Sequence, residues 1–475
     1  LTAPRRLSVP GIVFRVSIAL FIVGCASPSG ILTRLDRLEA QGRYDQAAGL
    51  VEQSKMSSYG EKNALLYHLD RGILLQLAGD YADSNASFED AKRLAQDLYT
   101  RSVTNEASTF LVSDNMRPYR AEDFERAQIP LLCALNYLML GKDEDSLVET
   151  RQVDSFLTKL KTDLGYKNVY TEDAFARYLA GLIQEDEGEV NDAHISFMQA
   201  LAAYDTYKKN YGVAAPPDLV EDALRTARKL GFSDRIEEIK KRWGGDVPAP
   251  RPAGTGELVL LHYEGLAPHK VDFFFEISVV KGLPFVSVQR PVGEDAQKVE
   301  QANSILRSVA MDQMVRVAFP TFVPTPYGIR GLTVRAEDAA GESAAAVAQD
   351  IGAIAEKNLK DRMLRDRGKA IARALIKWAL TQKVADKVGE KKGQGAAWLV
   401  KTLMQTASTA TEVSDKRSWG TLPDKIAVAR LTLPAGEHPI RMSFQNAGGA
   451  EVLARVEPVT VRAGRRTFII VRTAQ

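Results

Sequence analysis

The stretch YRAEDFERAQIPLLCALNYLMLGKDEDSLVETRQVDSFLTKL, residues 119–160, decides the fold. Gly141 divides it into two helical patterns. Phe124, Ile129, Leu132, Leu135 and Leu140 fall near one face of the first; Leu147, Val148, Val153, Leu157 and Leu160 fall near one face of the second. Neither helix can bury its apolar stripe alone, so the two must pack on each other and on similar pairs to either side.

Those pairs are visible in the chain. Gly42-Arg43-Tyr44 is followed by Ala47, Gly79-Asp80-Tyr81 by Ser84, Phe88 and Ala91, Gly141-Lys142-Asp143 by Ser146, and Gly188-Glu189-Val190 by Ala193, Phe197 and Ala200. Two copies carry a further glycine upstream, Gly72 and Gly181. A plain helical bundle could use the same alanine and glycine contacts. The recurrence resembles the tetratricopeptide repeat, in which small residues let paired helices approach and a glycine turn joins them. The spacing is irregular, which implies insertions, one of them a loop around Thr104–Pro118. A last pair, Pro217–Leu230 and Ser233–Trp243, reads as the capping end. The resemblance implies a helical solenoid whose task is to hold a peptide or another protein.

Tyr119, Glu125, Arg126, Asn136, Tyr137, Glu149 and Arg151 stand among the apolar positions of the central stretch. They are candidates for partner contact or for pairing within the solenoid. Glu125 and Glu149 have the chemistry of an acid–base pair, but such residues on a repeat's inner helices are more often salt-bridged to neighbours such as Arg126 and Arg151, or contact a ligand.

GGDVPAPRPAGTG, residues 244–256, is a proline-stiffened linker. Beyond it the period changes to that of strands: Glu257–Tyr263, Val271–Val280, Pro284–Val288, Val315–Phe319 and Gly331–Ala336, with a short helix at Ala296–Ala310. Ser343–Glu412 returns to helix, broken near Gly389–Gly395. Ile371, Leu375 and Trp378 line one face there, beside a basic stripe of Lys369, Arg373 and Lys377. That stripe, with Trp378, is a candidate contact for anionic headgroups or another acidic surface, or a solvated face. The chain ends in strands Ile426–Leu433, His438–Phe444, Glu451–Val461 and Arg466–Arg472. With its turns at Pro434–Glu437 and Ala463-Gly464 this end resembles small β-sandwich modules of the PEGA or prealbumin-like kind.

At the other end, Arg5, Arg6 and Arg15 precede an apolar run, Val16–Val23, and then Gly24-Cys25. This resembles a bacterial lipobox, and Cys25 is its lipidation candidate. Ala26 and Ser27 follow in place of the Asp that implies inner-membrane retention, so the expected location is the periplasmic face of the outer membrane. The expected organisation is a signal peptide (1–24), a tetratricopeptide-like helical domain (25–243), the linker (244–256) and a β-rich domain (257–475) with a helical insertion at about 343–412. The fold class is thus α + β multidomain: an N-terminal α-solenoid and a β-sandwich-like domain with inserted long helices.

The 475 residues carry a net charge of +2, with no bias toward nucleic acid. Two cysteines, Cys25 and Cys133, do not form a metal-binding pair. Cys133 in an apolar helix reads as a small buried hydrophobe. G-x-S-x-G, H-E-x-x-H, Walker and G-x-G-x-x-G motifs are absent, and the five histidines lack ligand spacing; His262 at the first strand reads as a packed or exposed strand residue. No cofactor or metal is expected.

PYRAEDFERAQ (118–128), ALNYLMLGKDEDSLVETRQVD (134–154), ARYLAGLIQEDEGEVNDAHISFMQAL (176–201), PPDLVEDALRTARKLGF (216–232), GELVLLHYEGLAPHK (256–270) and RSWGTLPDKIAVARLTLPAG (417–436) together resemble a family of bacterial outer-membrane tetratricopeptide lipoproteins. The resemblance implies location and architecture without an activity, and a weak tie to cell-wall assembly. The expected function is a lipid-anchored periplasmic scaffold for an envelope protein partner. The alternatives are an envelope enzyme, or regulator of one, acting on peptidoglycan or polysaccharide, and a subunit of a secretion or surface-assembly complex.

Overall fold

The computed structural model describes residues 29–105, 116–164, 170, 172–280, 283–288, 313–363 and 414–475. Cys25, Lys369, Arg373, Lys377, Trp378 and the helix expected at Ala296–Ala310 lie outside them.

Among the described residues the first half forms five antiparallel hairpins: α1 (Ser29–Ala40) with α2 (Tyr44–Gln53), α3 (Ala64–Ala78) with α4 (Tyr81–Asn105), α5 (Asp123–Met139) with α6 (Asp143–Leu164), α7 (Ala174–Asp186) with α8 (Val190–Tyr211), and α9 (Pro217–Lys229) with α10 (Ser233–Trp243). Every hairpin turns on a glycine of positive φ: Gly42, Gly79, Gly141, Gly188 and Gly231. That region disfavours any residue with a Cβ. Gly231 shows that the final pair repeats the pattern of the others. Thr104 and Asn105 lie in α4, not in a loop.

Each outer helix then presents a small, fully buried residue to its partner: Ala47, Ser84, Ser146 and Ala193 in the first four hairpins. Ser84 Oγ donates to the Gly72 carbonyl (2.6 Å) and Ser146 Oγ to that of Ala134 (3.0 Å). Gly72 and Gly181 face Phe88 and Phe197 so closely that an added Cβ would lie 2.4 Å from the ring in each case. Both rings are fully buried and have nowhere to go. Gly72→Ala and Gly181→Ala should each destabilise by about 1–3 kcal/mol through overpacking. Urea unfolding would read this as a lower midpoint at unchanged slope.

Among the described residues the second half contributes three sheets. The first has the order β11–β1–β8–β7, the second β10–β9–β5–β6 and the third β3–β2–β4. Strands β1 (Thr255–Glu264), β2 (His269–Val280), β3 (Leu283–Val288), β4 (Gln313–Val323), β5 (Ile329–Ala336), β6 (Glu342–Ala344) and β7 (Ala346–Asp350) precede helix α11 (351–363). Strands β8 (Lys425–Pro434), β9 (Gly436–Asn446), β10 (Glu451–Val461) and β11 (Arg466–Thr473) follow. The early strand β1 is thus flanked by two late ones, parallel to β11 and antiparallel to β8.

The helix expected from Ser343 begins only at 351, because Val347 pairs with Ala427 of β8 and residues 346–350 extend the first sheet. The alanine-rich ESAAAVAQD favours helix locally, but a free strand edge overrides that preference. Asp350 then caps α11 through the Ala353 N–H (2.8 Å).

The period-two alternation of β1 explains how the halves meet. Val259, Leu261 and Tyr263 join the core of the helices, with Ile426, Val428 and Phe468. Leu258 and Leu260 join a second core with Leu332, Ile440, Met442 and Phe444 between the first two sheets. The first sheet is covered on both faces, which is why LVLLHY reads as an unbroken apolar run. Helices, first sheet and second sheet form three layers, and the core of the helices runs through the interface.

Candidate interaction site: the inner groove of the helices

The inner helices α1, α3, α5, α7 and α9 face the C-terminal half, and each brings a buried carboxylate to it: Glu39, Asp70, Glu122 with Glu125, Glu185 and Asp222. The C-terminal half answers mostly with cations. Arg472 lies 3.1 Å from Glu39, Lys270 2.7 Å from Glu122, Arg466 2.7 Å from Glu185 and Arg430 2.5 Å from Asp222. Such a groove is built to hold a basic segment, and the segment it holds is its own chain.

Residues 414–424 run along it. Arg417 donates to Asn63 Oδ1 and the Arg117 carbonyl, each at 2.9 Å. The Trp419 N–H donates to Glu125 (2.7 Å), and its ring packs edge-on to Phe88 at 6.0 Å between centroids. The Trp419 Nε1–H reaches Thr421 Oγ1 (3.0 Å), whose hydroxyl donates to Asp70 (2.7 Å). Trp419, Thr421 and Leu422 are each 1% exposed, so this strap is part of the interior.

At the far end Arg430 donates to Asp222, to Glu257 and to the Tyr178 hydroxyl (2.8 Å). Arg466 bridges Glu257 (2.8 Å) and Glu185 (2.7 Å), and Arg225 of α9 closes the cluster on Glu185 at 3.0 Å. Burial opposes ionisation of Glu257, but Arg430, Arg466 and Arg251 hold it down at about 2. Burial likewise opposes ionisation of Glu122, and Arg362 and Lys270 hold it at about 2. Burial acts against Glu185 too, and Arg225 and Arg466 keep it well below the ordinary carboxylate range. Asp70, with only hydroxyl donors, is pushed by burial up to about 7, and burial with the charge of Glu122 raises Glu125.

A carboxyl held lower in the fold than in the unfolded chain stabilises above its ordinary value, and that stability is lost on acidification. Glu122 and Glu257 should therefore make the fold weaken between about pH 4.5 and pH 2. Urea midpoints at descending pH would show the fall, and a Glu257→Gln variant should show a shallower one.

The seven polar candidates of the central stretch do not form one site. Tyr119 donates to Glu125 (2.6 Å) beneath the strap. Asn136 is locked between α3 and α4, bonding Gln76, Ser84 and Asn85 at 2.8 Å each. Arg126 is clamped between the rings of Tyr99 (4.9 Å) and Phe156 (4.7 Å). Glu149 accepts from Lys92 at 2.9 Å, and Tyr137 is half-buried against the core. Arg151 alone of the seven is largely exposed, paired with Glu189 at 3.2 Å. Burial and internal pairing leave Tyr119, Glu125, Asn136 and Glu149 no surface for a partner.

Sequence reading missed Trp419, Arg430, Arg466, Arg472 and Glu257. The signal of the four charged ones was charge inside strand patterns, which by itself reads as a solvent-facing side; Trp419 lies in the strap before β8. It also missed that Tyr170 repeats Tyr119: Tyr170 donates to Asp173 (2.5 Å) ahead of α7, as Tyr119 does to Glu125 in α5.

Three constellations suggest chemistry and do not support it. Glu89, Cys133 and Glu149 lie close enough to share a cation, but the Lys92 ammonium already sits at 2.5 Å from Glu89 and 2.9 Å from Glu149. Burial pushes the Cys133 thiol up, away from reactivity. His262 lies 2.8 Å from Thr473 Oγ1 and 3.4 Å from Glu264, in the order hydroxyl, imidazole, carboxylate, yet all three are buried and no substrate can reach the hydroxyl. A cleft of about 270 Å³ opens on the outer face between α6 and α8, over Ala176 and Ala180 of α7. Arg177 on its floor is already bonded to Asp154, Glu172 and Gln199.

No family model and no curated protein matches the sequence. Several solved structures are similar. MamA is 14% identical, with 44% of this chain and 90% of that chain covered and a TM-score of 0.27. A putative kinesin light chain of Podosopora anserina with nearly identical TPR-like repeats is 14% identical over 45% and 93%, at 0.30. A thermophilic TPR protein of Thermus thermophilus is 16% identical over 46% and 94%, at 0.24. The likeness is remote, and the assignment of tetratricopeptide-like hairpins rests on the turn glycines and the glycine–phenylalanine contacts.

Proposed function

We propose that the chain is a non-enzymatic scaffold, anchored through Cys25 in the outer membrane and facing the periplasm, that holds an envelope protein. The observation that carries the non-enzymatic reading is the sealed groove. Its carboxylates have the shifted proton affinities that active sites use, but each is buried beneath the chain's own strap and sheet. The anchor rests on the lipobox-like run ending at Cys25. Helix α1 starts at Ser29, so it would stand at the membrane surface.

With the inner face filled, a partner would meet the outer helices. Val148 of α6 and Ile195 of α8 occupy equivalent places seven residues after their turn glycines, and both are half-exposed. Among the described residues no helix is long and apolar enough to cross a membrane.

Cross-linking and capture from intact cells, wild type against Cys25→Ser, tests the reading. The scaffold account expects a defined envelope protein with the wild type, and mislocalisation with loss of that protein in the variant. Unchanged localisation of Cys25→Ser removes the anchor. Anchoring that depends on Cys25 with no protein captured removes the scaffold and favours a glycan- or lipid-directed role.

A further inference from the structure

The two ends of the groove are unequally charged. At the α7–α9 end, Glu185, Asp222 and Glu257 meet Arg225, Arg430 and Arg466. At the α1–α3 end, Asp36 and Glu39 of α1, Asp70 of α3 and Glu125 of α5 converge, and Arg472 of β11 is the buried cation among them. Among the described residues, the other titratable groups facing this end are Tyr44 and Tyr59, with Tyr67 and Tyr81 behind them, Tyr119 ahead of α5, Tyr263 of β1, Lys270 and the exposed His269 of β2, and Arg455 of β10. Glu122 beside Glu125 has its own cations, Lys270 and Arg362.

Arg472 is poorly placed to serve more carboxylates. Its Nη1 donates to the Thr421 carbonyl (2.7 Å) and its Nη2 to that of Gly265 (3.2 Å). Among the described residues its Nε and both Glu39 oxygens lack a hydrogen bond, although Glu39 and Arg472 lie 3.1 Å apart. Glu39 and Asp70 are both fully buried; among the described residues Asp70 has only hydroxyl donors and Glu39 only this occupied guanidinium, so the two cannot both be ionised in the closed junction.

We propose that this junction is a proton-controlled clasp, in which protonated Glu39 and Asp70 seat the strap and β11 on α1 and α3, and loss of the two protons releases them. The closed form binds protons that the open, hydrated form does not, so opening is favoured as pH rises. Burial raises Glu39 to about 8 and Asp70 to about 7, which sets the working range at neutral pH and just above. The far cluster, whose carboxylates are held low by arginines, stays closed and acts as the pivot.

Amide hydrogen exchange of the full chain from pH 5.5 to 8.5, corrected for the intrinsic rate, tests the clasp. Protection in α1, α3 and residues 417–422 should fall with rising pH, by up to about tenfold per pH unit for each group still protonated, and level off above pH 8. Protection in α7, α9 and β8 should hold. Asp70→Asn should remove one group's share of the slope below pH 7, and Glu39→Gln the share that persists to pH 8. A wild-type profile independent of pH would overturn the proposal, as would equal loss of protection at both ends or a full slope in a folded variant.

Discussion

Replacing Arg430 by alanine should destabilise the full chain by about 3–5 kcal/mol, the scale for removing one partner of a buried charge cluster. The guanidinium lies on β8, yet it bonds Asp222 of α9, Glu257 of β1 and the Tyr178 hydroxyl of α7. Its removal takes buried charge-assisted hydrogen bonds from both carboxylates at once and leaves Asp222 to Arg225, and Glu257 to Arg466 and Arg251. Arg430→Lys should recover little, because one ammonium cannot reproduce the forked contact. Arg430→Met keeps the aliphatic bulk and should recover little either, since the penalty comes from the lost hydrogen bonds to Asp222, Glu257 and Tyr178. Denaturant midpoints across the series would separate this from simple loss of packing, in which Arg430→Met would restore most of the stability.

Trp419→Ala should cost about 3–5 kcal/mol by emptying a buried aromatic site. The ring seats the strap against Phe88, and Phe88 in turn fills the space left by Gly72. Local collapse is resisted on both sides, so the cavity should persist. Trp419→Phe keeps the ring contact and loses the Nε1–H bond to Thr421, worth about 1 kcal/mol. Circular dichroism in urea gives both numbers. A Trp419→Ala variant as stable as the wild type would mean that the strap is not seated in the groove.

The repeats were readable because their cause is local. Gly79, Gly141 and Gly188 mark turns that need positive φ, and Gly72 with Phe88 or Gly181 with Phe197 lie within a single hairpin. Strands were readable for the same reason, through β-branched alternation. The groove was not. Glu257 finds Arg430 and Arg466 only through sheet pairings that bring distant strands together, and nothing near any of them in sequence announces it. Tyr119 and Glu125 stood out correctly as unusual polar residues in an apolar stretch. That they serve the chain's own strap depends on where Trp419 is placed, and a single tryptophan in RSWGTLP carries no address. The alanine-rich run before Asp350 shows the converse, a local preference for helix overruled by pairing with β8.

The C-terminal half fills the helical groove, and both halves share one core. Scanning calorimetry of the full chain near pH 6 puts this to the test. The shared core predicts one endotherm whose calorimetric and van't Hoff enthalpies agree, shifted down as a whole by Arg430→Ala. Two separable transitions, with Arg430→Ala moving only the one that belongs to the sheets, would contradict it.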